Sequence, residues 1–184
     1  MKKITATILS CILIGCTAVS CGSKKEENTA SKVLPAEADA CIKDFVNNVF
    51  EGDGNGMLNC MYPHALISGL KSSGLTKQLY SALEMGVDGS LDKCTTSDEV
   101  KISEKAMKGA GVYFDSYTNM LKVSAPPYTV SDGYKLKMNV TVKSGSQKDS
   151  TSEDIIVVDV DGEGWKIIPM DEETLESAAD GGIG

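Results

Sequence analysis

The fold class is decided by the stretch Tyr134-Lys135-Leu136-Lys137-Met138-Asn139-Val140-Thr141-Val142-Lys143. Apolar and polar side chains alternate strictly along it. Because successive side chains of a β-strand point to opposite faces of a sheet, this alternation predicts a strand with one buried face and one face in water.

Further strands are predicted around this one. Residues 144–150 are polar and predict a loop, after which the apolar run Ile155–Val160 predicts a second long strand. The turn residues of 161–164 lead into a third strand over Trp165–Ile168. Two shorter strands are predicted at Val100–Ile102 and Tyr128–Val130. In the second half of the chain, the strands are expected to form an antiparallel meander.

Helices are predicted ahead of the meander. The first begins at Pro35 and ends at Gly52, and its apolar stripe follows a spacing of three to four residues: Ala38, Cys41, Ile42, Phe45, Val46 and Val49. A short helix over Asn55–Met61 ends before Pro63. Helices followed by an antiparallel meander are typical of the α+β class, and one domain is expected over residues 35–170.

Two more helices complete the prediction. Leu75, Leu79 and Leu83 recur every fourth residue, and Thr76 is the candidate cap. The second helix begins after Ser103 and continues to Leu121. Its glycines, Gly109 and Gly111, weaken the helical pattern by about 1 kcal/mol each relative to alanine.

Three short segments carry a resemblance to a known fold. They are Phe50-Glu51-Gly52-Asp53, Tyr62-Pro63 and Asp161-Gly162-Glu163-Gly164-Trp165-Lys166-Ile167. In this respect the chain resembles small lipoproteins of Gram-positive anaerobes that have the cone-shaped fold of the nuclear-transport-factor and ketosteroid-isomerase superfamily. The resemblance implies helices packed on a curved antiparallel sheet, with a pocket at the wide end of the cone.

The N-terminus has the layout of an export signal. Lys2 and Lys3 precede an uncharged apolar run over residues 4–19, which is shorter than the roughly 20 residues of a spanning helix. The run ends at Ala18-Val19-Ser20-Cys21 and resembles the lipobox of bacterial lipoproteins. The resemblance implies cleavage between Ser20 and Cys21 and a diacylglycerol on the Cys21 thiol, whose two acyl chains give a lasting anchor. A second match to the lipobox ends at Cys16, which is the alternative residue for lipid attachment.

The predicted organisation follows from this signal. Residues 1–20 are the signal peptide, 21–34 a flexible tether, 35–170 the domain and 171–184 a flexible acidic tail. The expected location is the extracytoplasmic face of the cell membrane. All 18 basic residues are lysine and the formal net charge is −8, so nucleic acid is not an expected partner.

Three cysteines lie in the predicted domain: Cys41, Cys60 and Cys94. Cys41 falls on the apolar stripe of the first helix, which favours a core residue. A disulfide between Cys41 and Cys60 is one alternative outside the cell, and free thiols are the other.

Few other residues suggest chemistry. The only histidine, His64, is interpreted as a surface residue or a local hydrogen-bond partner. Ketosteroid isomerases use a buried aspartate as base, and Asp44 and Asp115 are the candidates here, but their pattern does not distinguish them from solvated helix carboxylates, so this activity is not carried over. Glu51–Asn59 imitates part of a calcium loop, but Tyr62 stands where the bidentate carboxylate belongs, and a helix end followed by a turn is favoured.

No catalytic residue, metal site or cofactor is therefore predicted. The leading hypothesis is a lipid-anchored, non-enzymatic binding or interaction module that recognises an unidentified small ligand or envelope protein. The alternatives are a small isomerase or dehydratase that uses a pocket carboxylate, and an accessory subunit of an envelope complex.

Overall fold

A computed structural model describes residues 34–77, 80–81 and 89–181 of the chain. It consists of a curved, four-stranded antiparallel sheet with helices on both faces, which confirms the α+β prediction. In chain order the elements are α1 Ala36–Glu51, α2 Gly54–Met61, α3 His64–Ser73, β1 Ser90–Lys101, α4 Glu104–Leu121, β2 Val130–Ser144, β3 Gln147–Val160, β4 Gly164–Ile168 and α5 Glu172–Ala179.

The predicted signal peptide, with Cys16, Ser20 and Cys21, lies outside the described residues, as does the predicted tether up to residue 33. Leu34, the last residue assigned to the tether, is described and is buried against the core. Within the described part of the chain, no helix is long and apolar enough to cross a membrane.

The sheet has the strand order β1-β2-β3-β4, and each strand pairs with its neighbour in antiparallel fashion. Strands β2 and β3 form one long hairpin, paired from Val130↔Val160 to Ser144↔Gln147. Gly145, in the intervening turn, has a φ of 61°, in the left-handed region that glycine adopts without strain.

The polar loop predicted over residues 144–150 is therefore mostly strand. Its residues contribute backbone hydrogen bonds to the ladder with β2, and these need no apolar side chain. Polar cross-strand contacts support the pairing: Lys137 to Asp154 at 2.7 Å, and Thr141 to Ser150 at 3.0 Å between hydroxyls.

Strand β1 is also longer than the predicted Val100–Ile102. It begins at Ser90 and is mostly polar, so it has little of the alternation that identifies a strand in sequence. Its register against β2 shifts between Ser97 and Val100, where a bulge interrupts the ladder. Of the predicted strand Tyr128–Val130, only Val130 belongs to a strand, as the first residue of β2.

One core lies between the sheet and the first three helices. The apolar residues of β2, from Tyr134 to Val142, are all buried on this face, as the alternation predicts. They pack with the stripe of α1, of which Ala38, Ile42, Phe45, Val46 and Val49 are buried. Cys41, assigned to the same stripe, is only half-buried and lies at the edge of the core.

A second core lies on the opposite face, under α4 and α5. Ile156, Val158 and Val160 of β3 pack there, whereas Ile155 and Val157 belong to the first core. Burial on both faces explains why the end of β3 is a continuous apolar run instead of an alternation.

The helix limits largely follow the sequence. Helix α1 begins one residue after Pro35 and ends at Gly52, whose φ is 71°. Helix α2 begins at Gly54, one residue before its predicted start, and α4 begins after Ser103, whose hydroxyl accepts from the Ala106 amide at 3.0 Å.

Helix α3 was not predicted. It follows Pro63 and buries Leu66, Ile67 and Leu70, a pattern too short to stand out in sequence. Of the predicted leucine helix, Leu79 and Leu83 lie outside the described residues, and Leu75 is 51% exposed.

The C-terminal segment is not simply a flexible tail. Asp171 caps helix α5 by accepting from the Thr174 amide at 2.8 Å, and Leu175 and Ala178 are buried against α4. Gly109 makes this contact possible, because a Cβ at that position would overlap the carbonyl oxygen of Leu175. The segment 172–179 is thus a packed helix, and nothing local to its sequence reveals its partner on α4.

Candidate functional site

A cleft of about 500 Å³ lies where helix α5 meets the β2–β3 hairpin. We call it the hairpin cleft. Apolar side chains line part of its wall, among them Ile156, Pro169 and Met170. Charged side chains line the rest: Asp98, Lys135, Lys137, Glu153, Asp154, Asp171 and Glu172. A partly apolar cleft with several polar groups is typical of small-molecule sites.

Both lysines of the hairpin cleft are already paired. Lys135 Nζ lies 2.6 Å from Glu172, and Lys137 Nζ lies 2.7 Å from Asp154. The contact with Asp154 raises the pKa of Lys137, which keeps this side chain charged. Five carboxylates against two ammonium groups leave the cleft with an excess of negative charge.

Asp98 stands out within this set. Its φ is 57°, a left-handed conformation that is uncommon for a residue other than glycine. It lies in the bulge of β1 and so reaches the cleft from an edge strand, beside Lys137. Bulges and backbone outliers are over-represented next to functional sites, which favours the cleft as a binding site.

A second, open cleft lies between the start of α1, the end of α2 and strand β4. We call it the thiol cleft, because Cys41 and Cys60 both line it, together with Asp44, Asp159 and Trp165. The Cys41 thiol donates to the carbonyl oxygen of Trp165 at 3.3 Å and lies 3.8 Å from that of Cys60. Both cysteines, and Cys94, are free thiols.

The two thiols of this cleft influence each other's ionisation. A hydrogen bond from Cys41, and a weaker one from Asn48 at 3.9 Å, lower the pKa of Cys60. The same hydrogen bond, with burial, raises the pKa of Cys41. The pair therefore loses the Cys60 proton in preference to the Cys41 proton.

Lys166 lies beneath the thiol cleft. It is only 5% exposed, and its ammonium group donates to the carbonyl oxygen of Glu163 at 2.6 Å. Burial lowers its pKa, partly offset by the neighbouring Cys41 and by Glu163. The pattern of the strand did not predict a buried lysine, because Lys166 occupies a position between two apolar residues.

His64 is the first residue of helix α3. Glu163, in the turn between β3 and β4, accepts from the His64 backbone amide at 3.0 Å and contacts its ring Nδ1 at 2.6 Å. Burial opposes the charge of Glu163, but these hydrogen bonds from His64 outweigh it and lower the pKa of the carboxyl group. The ring of His64 is largely exposed, with 78% of the side chain accessible, and lines neither cleft.

The two carboxylates considered as a catalytic base lie apart. Asp44 is exposed on α1 beside the thiol cleft, and Asp115 accepts from the backbone amide of Tyr128 at 3.0 Å. Asp115 thus fixes the segment that follows α4. The structure does not bring Asp44 and Asp115 together in either cleft.

The segment that imitates a calcium loop forms a helix junction. Asp53 caps α2 by accepting from the amides of Asn55 and Gly56, both at 3.0 Å. The side-chain oxygen of Asn55 accepts from the Tyr80 hydroxyl at 2.9 Å. Two of the candidate ligands therefore already serve as local hydrogen-bond partners.

Among the described residues, no group of three or more histidine, cysteine or acidic side chains could hold a metal ion. No protein-family model, curated protein or solved structure matches this chain.

Neither cleft was predicted as a site from the sequence. The hairpin cleft combines residues from β1, β2, β3 and the start of α5, which are up to 74 positions apart between Asp98 and Glu172. In the sequence, only the lysines of β2 and the acidic residues at the start of α5 indicate a charged site. One of the two alternatives from the sequence is a disulfide between Cys41 and Cys60. The structure places these residues side by side as free thiols.

Proposed function

We propose that this chain is a lipid-anchored extracytoplasmic binding module whose hairpin cleft takes a small organic cation. The observation that carries the proposal is the composition of that cleft: apolar side chains beside an excess of carboxylates. A ligand with an apolar body and an ammonium group matches both features.

Two carboxylates of the cleft are the best candidates for the contact with the cation. Glu172 and Asp154 are paired with lysines, and Asp171 caps α5. Asp98 and Glu153 do not appear in an ion pair with a described lysine. They would therefore supply the charge that a ligand ammonium meets.

The binding test uses two ligands that differ only in charge. We expect hexylamine to raise the melting temperature of the full chain, purified in detergent, by about 2 °C or more at millimolar concentration, and hexanoate to leave it unchanged. Equal effects of the two compounds would contradict the proposed charge preference. Chemical turnover of the bound amine would contradict a purely binding role.

Matched variants locate the site. Replacing both Asp98→Asn and Glu153→Gln is expected to weaken amine binding at least about tenfold, since one hydrogen bond to a charged group contributes roughly 1.5–3 kcal/mol. Glu99→Gln, on the same strand but outside the cleft lining, is expected to bind like the unchanged protein. Loss of binding in the Glu99 variant alone would place the ligand elsewhere.

The anchor is the second part of the proposal. An apolar run too short to span a bilayer, followed by Ser20-Cys21 and a polar segment, supports attachment through Cys21. After expression in a lipoprotein-processing bacterium, mass spectrometry should find a diacylated Cys21 as the first residue. Cys21→Ser should abolish acylation and Cys16→Ser should not. An uncut, unmodified N-terminus on protein from the cytosol would contradict the anchor.

We further infer that the domain is a variant of the cone-shaped fold of the nuclear-transport-factor and ketosteroid-isomerase superfamily. Its support is a curved antiparallel sheet with α1, α2 and α3 packed on one face. An experimental structure with a flat sheet, or with those helices displaced from it, would contradict this inference.

The accessory-subunit alternative has less support. Among the described residues, the exposed large apolar side chains are Leu75, Val100 and Met120, and they lie on separate elements or loops. A stable protein interface usually has a contiguous apolar patch at its centre.

A further inference from the structure

Cys41 and Cys60 reach the thiol cleft from two consecutive helices, α1 and α2. We propose that these two residues form a reversible disulfide by exchange with an external disulfide, such as an oxidised low-molecular-weight thiol or an oxidoreductase. The proposal is separate from amine binding, because the thiol cleft shares no lining residue with the hairpin cleft. It depends on the proposed export only because export would place the chain in an oxidising compartment, where disulfides form and persist.

The geometry already places the two side chains together. Cys41 Sγ lies 3.8 Å from the carbonyl oxygen of Cys60, and the two thiols share a hydrogen bond. Gly52 and Asp53 connect the helices in a tight junction, in which the Asp53 amide donates to the Asn48 carbonyl at 2.8 Å. The junction thus holds α1 and α2 with both cysteines in the same cleft.

The two cysteines differ in access. Cys41 is half-buried at the cleft surface, whereas Cys60 is only 7% exposed. An external disulfide therefore reaches Cys41 first. Cys60, the less exposed of the two and a lining residue of the same cleft, is placed to resolve the mixed disulfide that results.

The chemistry balances in two exchange steps. The Cys60 thiolate takes up the proton of the neighbouring Cys41 thiol as Cys41 Sγ attacks one sulfur of the external disulfide R–S–S–R, which forms Cys41–S–S–R and releases one R–S⁻. This R–S⁻ then removes the proton from Cys60. The Cys60 thiolate then attacks Cys41 Sγ, and the second R–S⁻ leaves and is protonated. Two cysteine thiols are oxidised, and one external disulfide is reduced to two thiols.

The surroundings favour the resolving step. The hydrogen bond from Cys41, the nearby Lys166 and the amide of Asn48 all lower the pKa of Cys60. Burial raises the pKa of Cys94, which lies elsewhere, on β1. Only Cys60 gains thiolate character, and it is the shared cleft that separates Cys41 and Cys60 from the third cysteine of the domain.

Peptide mapping of the full chain in detergent tests the proposal directly. The protein is equilibrated in mixtures of reduced and oxidised glutathione, alkylated and digested with trypsin. Cleavage after Lys32, Lys43 and Lys71 puts Cys41 and Cys60 in different peptides, and Cys94 falls in the separate peptide 94–101. A linked peptide pair therefore identifies the bond without ambiguity.

The expected product is a Cys41–Cys60 link that dithiothreitol reverses and that raises the melting temperature by about 5–10 °C, because it closes a short loop of the unfolded chain. Cys60→Ser should abolish the link and the rise, and Cys94→Ser should retain both. Free Cys41 and Cys60 thiols in fully oxidised glutathione would overturn the proposal, as would equal pairing with Cys94. A third outcome would also overturn the proposal. If the Cys41 and Cys60 thiols did not exchange with glutathione, and if only added Cu(I) protected them from alkylation, the pair would be a soft-metal site instead.

Discussion

At the scale of single residues, Glu163 connects two distant parts of the chain. Its carboxylate accepts from the first amide of α3 and contacts the ring of His64, while its carbonyl oxygen accepts from the buried Lys166. One residue in the β3–β4 turn thus fixes both the start of a helix and a buried ammonium group.

Replacing Glu163→Ala should lower the free energy of unfolding by about 1 kcal/mol at pH 7, the usual cost of losing a helix cap. Glu163→Gln keeps a neutral acceptor and should cost less. Urea unfolding followed by circular dichroism measures both variants, and Glu173→Ala, on the exposed face of α5, is the matched control.

The pH dependence of the same residue has a defined sign. Because folding lowers the pKa of Glu163 from its ordinary value of 4.5, its contribution to stability is present above pH 4.5 and is lost as the pH falls through the folded-state pKa. The unchanged protein should therefore approach the Glu163→Gln variant in stability as the pH falls from 6 to 3. A constant difference between the two proteins over that range would contradict the assignment.

Gly109 is the residue at which helix propensity and packing disagree. Alanine is intrinsically better by about 1 kcal/mol in a helix, but a Cβ here would overlap the backbone of Leu175. We expect Gly109→Ala to destabilise the protein by about 2 kcal/mol, because α5 must move away. Asn119→Ala, exposed on the same helix, should change the stability by less than about 0.5 kcal/mol, and thermal unfolding distinguishes the two.

At the scale of elements, sequence patterns predicted those strands and helices whose burial is one-sided. Strand β2 alternates because one face meets the core, and α1 has a stripe because one side meets the sheet. The first half of β3 and most of β1 lack such a pattern, because neither face of these segments is fully buried in a core. Helix α5 is not evident from the sequence because its partner, α4, lies about 60 residues away along the chain. The clefts are not evident either, because their lining residues are also far apart in the sequence.

At the scale of the whole molecule, β3 joins the two cores. Ile155 and Val157 pack under the first three helices, and Ile156 and Val158 pack under α4 and α5. Because alternate residues of one strand serve both cores, neither core can lose its packing without disturbing the other. The described domain should therefore unfold as one cooperative unit.

Leu175→Ala tests this cooperativity, because Leu175 is fully buried in the second core whereas the single tryptophan, Trp165, packs against the first. The cavity left by the substitution should cost about 3 kcal/mol. In urea unfolding, the fluorescence of Trp165 and the far-ultraviolet circular dichroism should shift to the same lower midpoint. If the fluorescence midpoint stayed unchanged while the circular dichroism split into two transitions, the two cores would be independent. Loss of α5 would then open the hairpin cleft and leave the thiol cleft, on the other side of the sheet, folded.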